Sequence, residues 1–142
     1  SMQEFCVGKI RKRLKSLNGK TIGILGLTFK PGTDDARQSQ AAVIIKRLNE
    51  LGAIVKANDP KGMDQFERLY PDLEVKYCFT PEETAEQADL LLLLTHWDEY
   101  TRLNWSTIHS SMRRKIVVDT RNVLPGGLLR RIGFQYDGLG IE

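Results

Sequence analysis

The chain has 142 residues, of which 41% are hydrophobic and 27% are charged, and this composition is typical of one soluble globular domain with its own core. The 21 Lys and Arg residues exceed the 18 Asp and Glu residues by three, and this excess is too small to predict binding to nucleic acid or to a membrane surface. The longest apolar run, residues 90–94, is far shorter than the ~20 residues of a membrane-spanning helix. The polar, basic N-terminus predicts no secretory signal.

The two cysteines are far apart in the sequence. Cys6 and Cys78 have neither the spacing of metal ligands nor the number that a disulfide framework needs. They predict a reducing, cytoplasmic setting and no metal site. Ser1 before Met2 is typical of a residue left by an expression tag, so we expect the chain to be a fragment of a longer protein.

The first elements are one helix, two strands and a second helix. Residues 2–17 carry apolar side chains every three or four positions, which predicts a helix with a buried face and a basic, solvated outer face. Residues 21–27 are apolar and bounded by turn residues, which predicts a buried strand. After a polar loop over 28–39, the apolar spacing of residues 41–51 predicts a helix, and residues 54–57 predict a second strand.

Further strands are predicted at 75–79, 90–94, 116–118 and 134–136, with short helices at 63–70, 81–88, 97–112 and 128–131. The run of five leucines at 90–94 is so uniformly apolar that both of its faces should be covered, as in a central parallel strand. The alternation predicts an α/β, Rossmann-like, doubly wound and mainly parallel sheet of five to six strands, with helices on both faces and one helix preceding it.

Open parallel sheets bind ligands beyond the carboxyl ends of their strands. The dinucleotide fingerprint of this fold fails here, because only Gly23 and Gly26 are present and Asp59 follows 33 residues after Gly26. The charge of a phosphate would therefore have to be met by side chains. Lys30, Arg37 and Arg121 follow strand ends and are suited to bind phosphate or carboxylate groups, whereas the loop residues among them are equally able to form internal ion pairs.

Three segments resemble a known family. Residues 26–37, GLTFKPGTDDAR, are similar to the GLxFKxxTDDxR signature of the UDP-glucose/GDP-mannose dehydrogenase family. Residues 95–100, THWDEY, resemble its T-x-W-x-E-[FY] segment, and residues 119–122, DTRN, resemble its D-x-R-N segment. The three matches occur in order across nearly the whole chain.

The resemblance implies an enzyme that oxidises the C6 alcohol of a nucleotide sugar to a carboxylate in two steps, consuming two NAD and one water. It implies that Phe29 and Lys30 contact the nucleotide sugar, that Arg121 binds its nucleotide part, and that Arg37 reaches NAD. UDP-glucose is the expected substrate. The family's nucleophilic cysteine segment, G-x-G-G-x-C, and its glycine-rich NAD fingerprint have no counterpart here. We therefore expect no catalytic residue in this chain and interpret both cysteines as core residues.

These expectations divide the chain into the end of a connecting helix, residues 1–18, and a C-terminal nucleotide-sugar-binding domain, residues 19–142. The expected partners are a UDP-sugar and the remaining domains of a full-length enzyme that forms a homodimer, and we expect the chain alone to be inactive. The alternatives are a standalone, non-catalytic module that binds nucleotide sugars, and a dehydrogenase of UDP-N-acetylmannosamine, UDP-galactose or GDP-mannose. An unrelated flavodoxin-like or response-regulator-like domain is disfavoured by the loop around Lys30.

Overall fold

The computed structural model describes residues 1–28, 36–37 and 39–138. In this part of the chain there are seven helices: α1 (Met2–Leu14), α2 (Gln40–Glu50), α3 (Met63–Leu69), α4 (Pro81–Ala85), α5 (Asp98–Thr101), α6 (Trp105–Ser111) and α7 (Gly126–Ile132). The same ranges contain six strands: β1 (Thr21–Leu25), β2 (Ile54–Asn58), β3 (Lys76–Tyr77), β4 (Leu90–Leu93), β5 (Ile116–Asp119) and β6 (Gln135–Gly138).

The six strands form one sheet in the order β3-β2-β1-β4-β5-β6, and every neighbouring pair is parallel. This arrangement confirms the predicted Rossmann-like α/β fold. The chain builds outward from β1 through β2 to β3 and then crosses back to β4, so β1 and β4 are neighbours at the point where the strand order reverses. Ligands of such sheets bind at that switch point.

Alternate side chains of the central strands pack into two separate hydrophobic cores, one on each face of the sheet. Ile22, Ile24 and Leu92 pack with α1 and α2, whereas Leu25 and Leu91 pack with side chains of α5, α6 and α7. All four residues of β4 are buried, as the uniformly apolar sequence predicts for a strand covered on both faces.

Helix α1 is docked on the sheet by an apolar face and an ion pair. Cys6, Ile10 and Leu14 are buried in the core shared with α2. Arg13 donates from Nε and Nη2 to the two carboxylate oxygens of Asp137 in β6, both at 2.7 Å. The helix is thus packed against the domain, and the boundary after residue 18 stays a prediction.

Several predicted boundaries are wrong. Helix α1 ends at Leu14 rather than at 17, because Lys15 adopts a left-handed backbone with φ of 68°, although Leu17 is still buried. Strand β3 has only two residues, since it pairs with β2 over Lys76 and Tyr77 alone. Strand β6 extends to Gly138 because all four of its residues pair with β5.

Two glycines permit close approaches in the sheet. A Cβ on Gly23 would lie 2.7 Å from a side-chain atom of Leu91 and 2.8 Å from the carbonyl oxygen of Thr84, so α4 packs directly on β1 there. Gly26, just after β1, has a φ of 104°.

In the described part of the chain, no helix is both long enough and apolar enough to cross a membrane.

Candidate functional site

A cleft of about 280 Å³ opens at the carboxyl ends of β1, β4 and β5. Its lining comes from the segments that follow these strands and from the first turns of α1 and α2, and it comprises Met2, Gly26, Thr28, Gln40, Ala41, Leu94, Thr95, Thr120 and Arg121. The cleft therefore lies beside the β1/β4 switch point, where this fold is expected to bind a ligand.

Larger depressions occur elsewhere but lack this arrangement. One of about 430 Å³ lies between the C-terminal ends of α2 and α3 and is lined by residues such as Asn49, Tyr70 and Glu74. Another of about 410 Å³ is lined by Arg13, Arg114 and residues at the start of β5 and β6. Both lie away from the carboxyl ends of the strands, so we assign the candidate site to the smaller cleft.

Arg121 is the cationic side chain among the described residues that line the cleft. Its side-chain Nε donates to the carbonyl oxygen of Leu94 at 2.8 Å, and its backbone N–H donates to Oδ1 of Asp119 at 2.9 Å. The guanidinium is thus held through Nε by the residue after β4, and the backbone of Arg121 is held by the last residue of β5. A planar guanidinium oriented in this way is suited to bind a phosphate or carboxylate through its terminal nitrogens.

The Asp119 carboxylate builds the turn that carries Arg121. Oδ1 accepts from the N–H groups of Arg121 and Asn122, and Oδ2 accepts from those of Val123 and Leu124, each at 2.9 Å. Asn122 has a φ of 57°, in the left-handed region that asparagine adopts more readily than most residues. Four amides gathered on one buried carboxylate hold this turn in its shape.

Threonine hydroxyls join the strand ends beneath the cleft. Thr95 Oγ1 donates to the carbonyl oxygen of Thr28 at 3.0 Å, and Thr120 Oγ1 donates to that of Leu93 at 2.7 Å. A Cβ on Gly26 would lie 2.5 Å from the backbone nitrogen and from the Cβ of Thr95. Glycine at this position therefore lets the segments after β1 and β4 meet.

The N-terminus of α2 faces the same cleft through Gln40 and Ala41. Ser39 caps the helix: its Oγ accepts from the N–H of Ala41 at 3.1 Å and donates to the carbonyl oxygen of Leu27 at 2.7 Å. The first turn of α2 has no acidic residue. The positive end of the helix dipole is therefore not neutralised by a carboxylate of its own helix and favours an anion in the cleft.

Asp59 occupies the place after β2 where dinucleotide-binding folds carry a ribose-binding acid. Here the carboxylate is fully buried. Its Oδ2 accepts from the N–H groups of Leu27 (2.7 Å) and Thr28 (3.1 Å), and its Oδ1 accepts from those of Lys61 (3.0 Å) and Gly62 (2.8 Å). Asp59 therefore ties two loops together and is not presented to a ligand.

The predicted site residues fall into two groups. Arg121 lines the cleft, whereas Arg37 is exposed and is not among the described residues that line it. Phe29 and Lys30 lie outside the described residues. Sequence reasoning missed the positioning role of Asp119 and the contribution of Gln40 and Ala41 to the cleft. The sequence showed only that these residues stand at a strand end or at a helix start. It did not indicate which residues they would contact.

Neither cysteine is exposed to the cleft. Cys6 and Cys78 are both buried free thiols. Burial raises the pKa of Cys6 to about 12, although the charge of Arg121 opposes this shift. The prediction that Cys6 is a core residue is confirmed. Among the described residues, no cluster of His, Cys, Asp or Glu has the composition to hold a metal ion.

The chain is similar to known proteins over most of its length. Residues 23–126 match the family model described as the UDP-glucose/GDP-mannose dehydrogenase family, UDP binding domain. A UDP-glucose 6-dehydrogenase of Rickettsia bellii is 36% identical over 126 residues, which are 89% of this chain and 29% of the relative. The same enzyme of Rhizobium meliloti is also 36% identical, over 87% of this chain and 28% of the relative.

Solved structures agree with these sequence matches. A UDP-glucose dehydrogenase from Pyrobaculum islandicum superposes with a TM-score of 0.82 and 32% identity, covering 99% of this chain and 30% of that one. A UDP-D-ManNAc dehydrogenase from Pyrococcus horikoshii superposes with a TM-score of 0.78 and 28% identity, covering 98% and 31%. The chain thus spans under a third of the length of these relatives. Its fold, its three ordered motifs and the family match together show that it belongs to the UDP-glucose/GDP-mannose dehydrogenase family, as a UDP-binding domain of that family.

Proposed function

We propose that this chain is the C-terminal, UDP-sugar-binding domain of a nucleotide-sugar 6-dehydrogenase. In the full-length enzyme, UDP-glucose, two NAD+ and one water give UDP-glucuronate, two NADH and three protons. The chain by itself binds nucleotide sugar and does not turn it over. The cleft at the β1/β4 switch point, which both Arg121 and the N-terminus of α2 line, is the observation that carries this proposal.

The diphosphate is the part of the ligand that this cleft suits best. Arg121 offers the terminal nitrogens of its guanidinium to phosphate oxygens, while its Nε is already engaged by Leu94. The N-terminus of α2, whose first turn has no acidic residue, also lines the cleft and adds a favourable electrostatic interaction with an anion. Lys30 and Phe29, assigned by resemblance, add a second cation and a contact with the sugar or nucleoside.

The threonine hydroxyls favour hydrogen-bond donors of the ligand. Thr95 and Thr120 each spend their hydroxyl hydrogen on a backbone carbonyl, so each can offer the cleft only an oxygen that accepts. Ribose hydroxyls and the N3–H of uracil are donors of the kind that such oxygens bind. A nucleoside diphosphate sugar combines these donors with the anionic charge that Arg121 attracts.

NAD does not fit a site built by the described residues. The acid after β2, Asp59, is saturated by four backbone amides, and the space over Gly23 and Gly26 is filled by neighbouring strands and loops. We therefore propose that NAD is held mainly by domains outside this chain. Arg37, which is exposed just before α2, is the residue of this chain proposed to reach it.

The remaining proposals concern the full-length protein. Its domains are the partners of this one, and two copies form a homodimer. The two free, buried thiols favour a reducing cytoplasmic location. Similarity to the Pyrococcus horikoshii enzyme keeps UDP-N-acetylmannosamine as an alternative substrate, and GDP-mannose and a non-catalytic binding module remain further alternatives.

Calorimetric titration of the 142-residue chain with UDP, UDP-glucose and GDP tests the binding function. We expect UDP and UDP-glucose to bind and GDP to bind at least about tenfold more weakly. Lys30→Ala and Arg121→Ala should each weaken UDP-glucose binding by about tenfold or more, because each removes a charged phosphate ligand. Lys46→Ala, an exposed position on α2, serves as the control. Equal affinities for Lys30→Ala and Lys46→Ala would remove Lys30 from the site.

Steady-state assays of the full-length gene product decide the reaction and the substrate. With UDP-glucose and NAD, we expect two NADH for each sugar oxidised, and the isolated chain should produce none. Faster turnover of UDP-N-acetylmannosamine or GDP-mannose would assign the enzyme to that substrate. No turnover with any nucleotide sugar, together with UDP binding, would favour the non-catalytic module.

A further inference from the structure

Tyr136, in the edge strand β6, reaches the carboxylate that organises the cleft. Its hydroxyl donates to Oδ2 of Asp119 at 2.7 Å, and Asp119 is fully buried. This bond is the fifth on that carboxylate, after the four amides of residues 121–124. Tyr136 does not line the cleft, so it has no direct route to a ligand there.

We propose that Tyr136 is a positioning residue of the UDP-sugar site: through Asp119 it fixes the 121–124 turn and so aims the guanidinium of Arg121. This role rests on the proposed function, since it requires that Arg121 binds the nucleotide. Arg121 is the first residue of the turn, and its own N–H is one of the four amides on Asp119. A carboxylate that rotates or shifts therefore moves the backbone from which the guanidinium extends.

Both oxygens of Asp119 accept hydrogen bonds from the turn, so the orientation of the carboxylate depends on its fifth partner, the phenol of Tyr136. Oδ1 holds Arg121 and Asn122, while Oδ2 holds Val123, Leu124 and the phenol. Without the phenol, Oδ2 retains only the two amides, and rotation of the carboxylate is less restrained.

Neighbouring residues hold the ring of Tyr136 in place, so its hydroxyl has a fixed position. The Arg130 guanidinium lies 5.2 Å from the ring centroid, and Arg130 Nη2 donates to the carbonyl oxygen of Tyr136 at 3.1 Å. A Cβ on Gly126 would lie 2.7 Å from Cε2 of the ring. Burial and the bond to Asp119 raise the pKa of the phenol, so it remains a donor at neutral pH.

The test compares Tyr136→Phe with Tyr100→Phe in the 142-residue chain. Tyr100 is also a buried phenol, and it donates to the backbone oxygen and to Oδ1 of Asn58, so both variants lose a buried hydroxyl. Affinities for UDP and for uridine are measured by calorimetry, because Arg121 distinguishes them through the phosphates. We expect Tyr136→Phe to weaken UDP about tenfold and uridine less than about threefold. The UDP-to-uridine ratio of Tyr100→Phe should match that of the wild type.

A double-mutant cycle separates positioning from a general loss of stability. In an Arg121→Ala background, Tyr136→Phe should no longer change UDP affinity, because the side chain that it positions is gone. If Tyr136→Phe does not fold, Gly126→Ala displaces the ring while keeping its hydroxyl. Gly127→Ala is the control, because a Cβ there would meet only the end of the Arg131 side chain at 3.4 Å.

The outcomes are distinct. An unchanged UDP-to-uridine ratio in Tyr136→Phe or Gly126→Ala, with UDP bound by the wild type, overturns the positioning role alone. An equal effect of Tyr136→Phe with and without Arg121 overturns it as well. Failure of the wild-type chain to bind UDP overturns the proposed function, and this role with it.

Discussion

The substitution Asp59→Asn tests whether the buried carboxylate after β2 stabilises the two loops that it joins. The carboxylate accepts four backbone N–H groups, two on each oxygen, and is fully buried. An asparagine keeps one acceptor oxygen and turns an NH₂ group toward the other pair of amides. The oxygen should face Leu27 and Thr28, which are buried, leaving the amides of Lys61 and Gly62 opposed to a donor.

The expected loss of stability follows from these four bonds. Two charge-assisted bonds, each contributing about 1.5–3 kcal/mol, are lost, and the other two become neutral bonds of about 1 kcal/mol. The bond from Lys61 is only partly buried, so water can offset part of its loss. We therefore expect the free energy of unfolding to fall by about 4 kcal/mol or more, a large part of the 5–15 kcal/mol of a typical domain.

Urea unfolding followed by circular dichroism measures this change. Asp64→Asn, at an exposed position in the first turn of α3, is the control and should change stability by less than about 0.5 kcal/mol. If Asp59 instead served a ligand as a ribose-binding acid, Asp59→Asn would leave the stability of the ligand-free chain nearly unchanged. A loss below about 1 kcal/mol would therefore show that the Asp59 carboxylate does not hold these two loops together.

Three further outcomes are expected. Gly26→Ala should destabilise the chain by more than about 2 kcal/mol in urea unfolding, because its Cβ would lie 2.5 Å from a backbone nitrogen and its φ is 104°. The control Gly8→Ala, in open space on α1, should stabilise the chain by about 0.5–1 kcal/mol. The hydrogen bond from Arg13 lowers the pKa of Asp137, so the stability that this pair contributes is complete above the unfolded pKa of about 3.9 and is lost as pH falls through the lower, folded value. Asp137→Asn should therefore remove this part of the decline of the urea midpoint at acid pH. An unchanged decline would contradict the role of the pair. Cys6 should resist a thiol-reactive disulfide at pH 8 until urea unfolds the chain, because it is buried with a pKa of about 12, and reaction of the folded chain at the unfolded rate would disprove its burial.

Hydrophobic patterning determined most of the fold. The uniformly apolar 90–94 segment is predicted to be a central strand, because only a strand covered on both faces can bury every side chain, and β4 lies between β1 and β5. Boundaries were less predictable where a single backbone angle or a pairing partner decides them. Lys15 ends α1 by its left-handed conformation, and β3 is limited to the two residues that find partners on β2.

The location of the candidate cleft and the presence of Arg121 in its lining were predictable. Arg121 follows a strand, and parallel strands bring their carboxyl ends to one edge, so a cation there is expected near a ligand. The same reasoning gives no indication that Asp59 faces inward to four amides, because an acid after β2 looks the same whether it binds a ribose or a loop. The difference depends on where Leu27 and Thr28 lie, 31 or more residues earlier in the chain.

Local spacing and short ordered segments of the sequence were thus enough to predict the alternation of strands and helices, the edge of the sheet where the candidate cleft lies, and the family. Only the tertiary structure decided which polar residues hold the site and which are presented to a ligand. Tyr136 and Asp119 meet because β6 pairs with β5, and the phenol then reaches a carboxylate 17 residues away. Long-range pairing of this kind depends on how the strands are ordered in space, which no local pattern specifies.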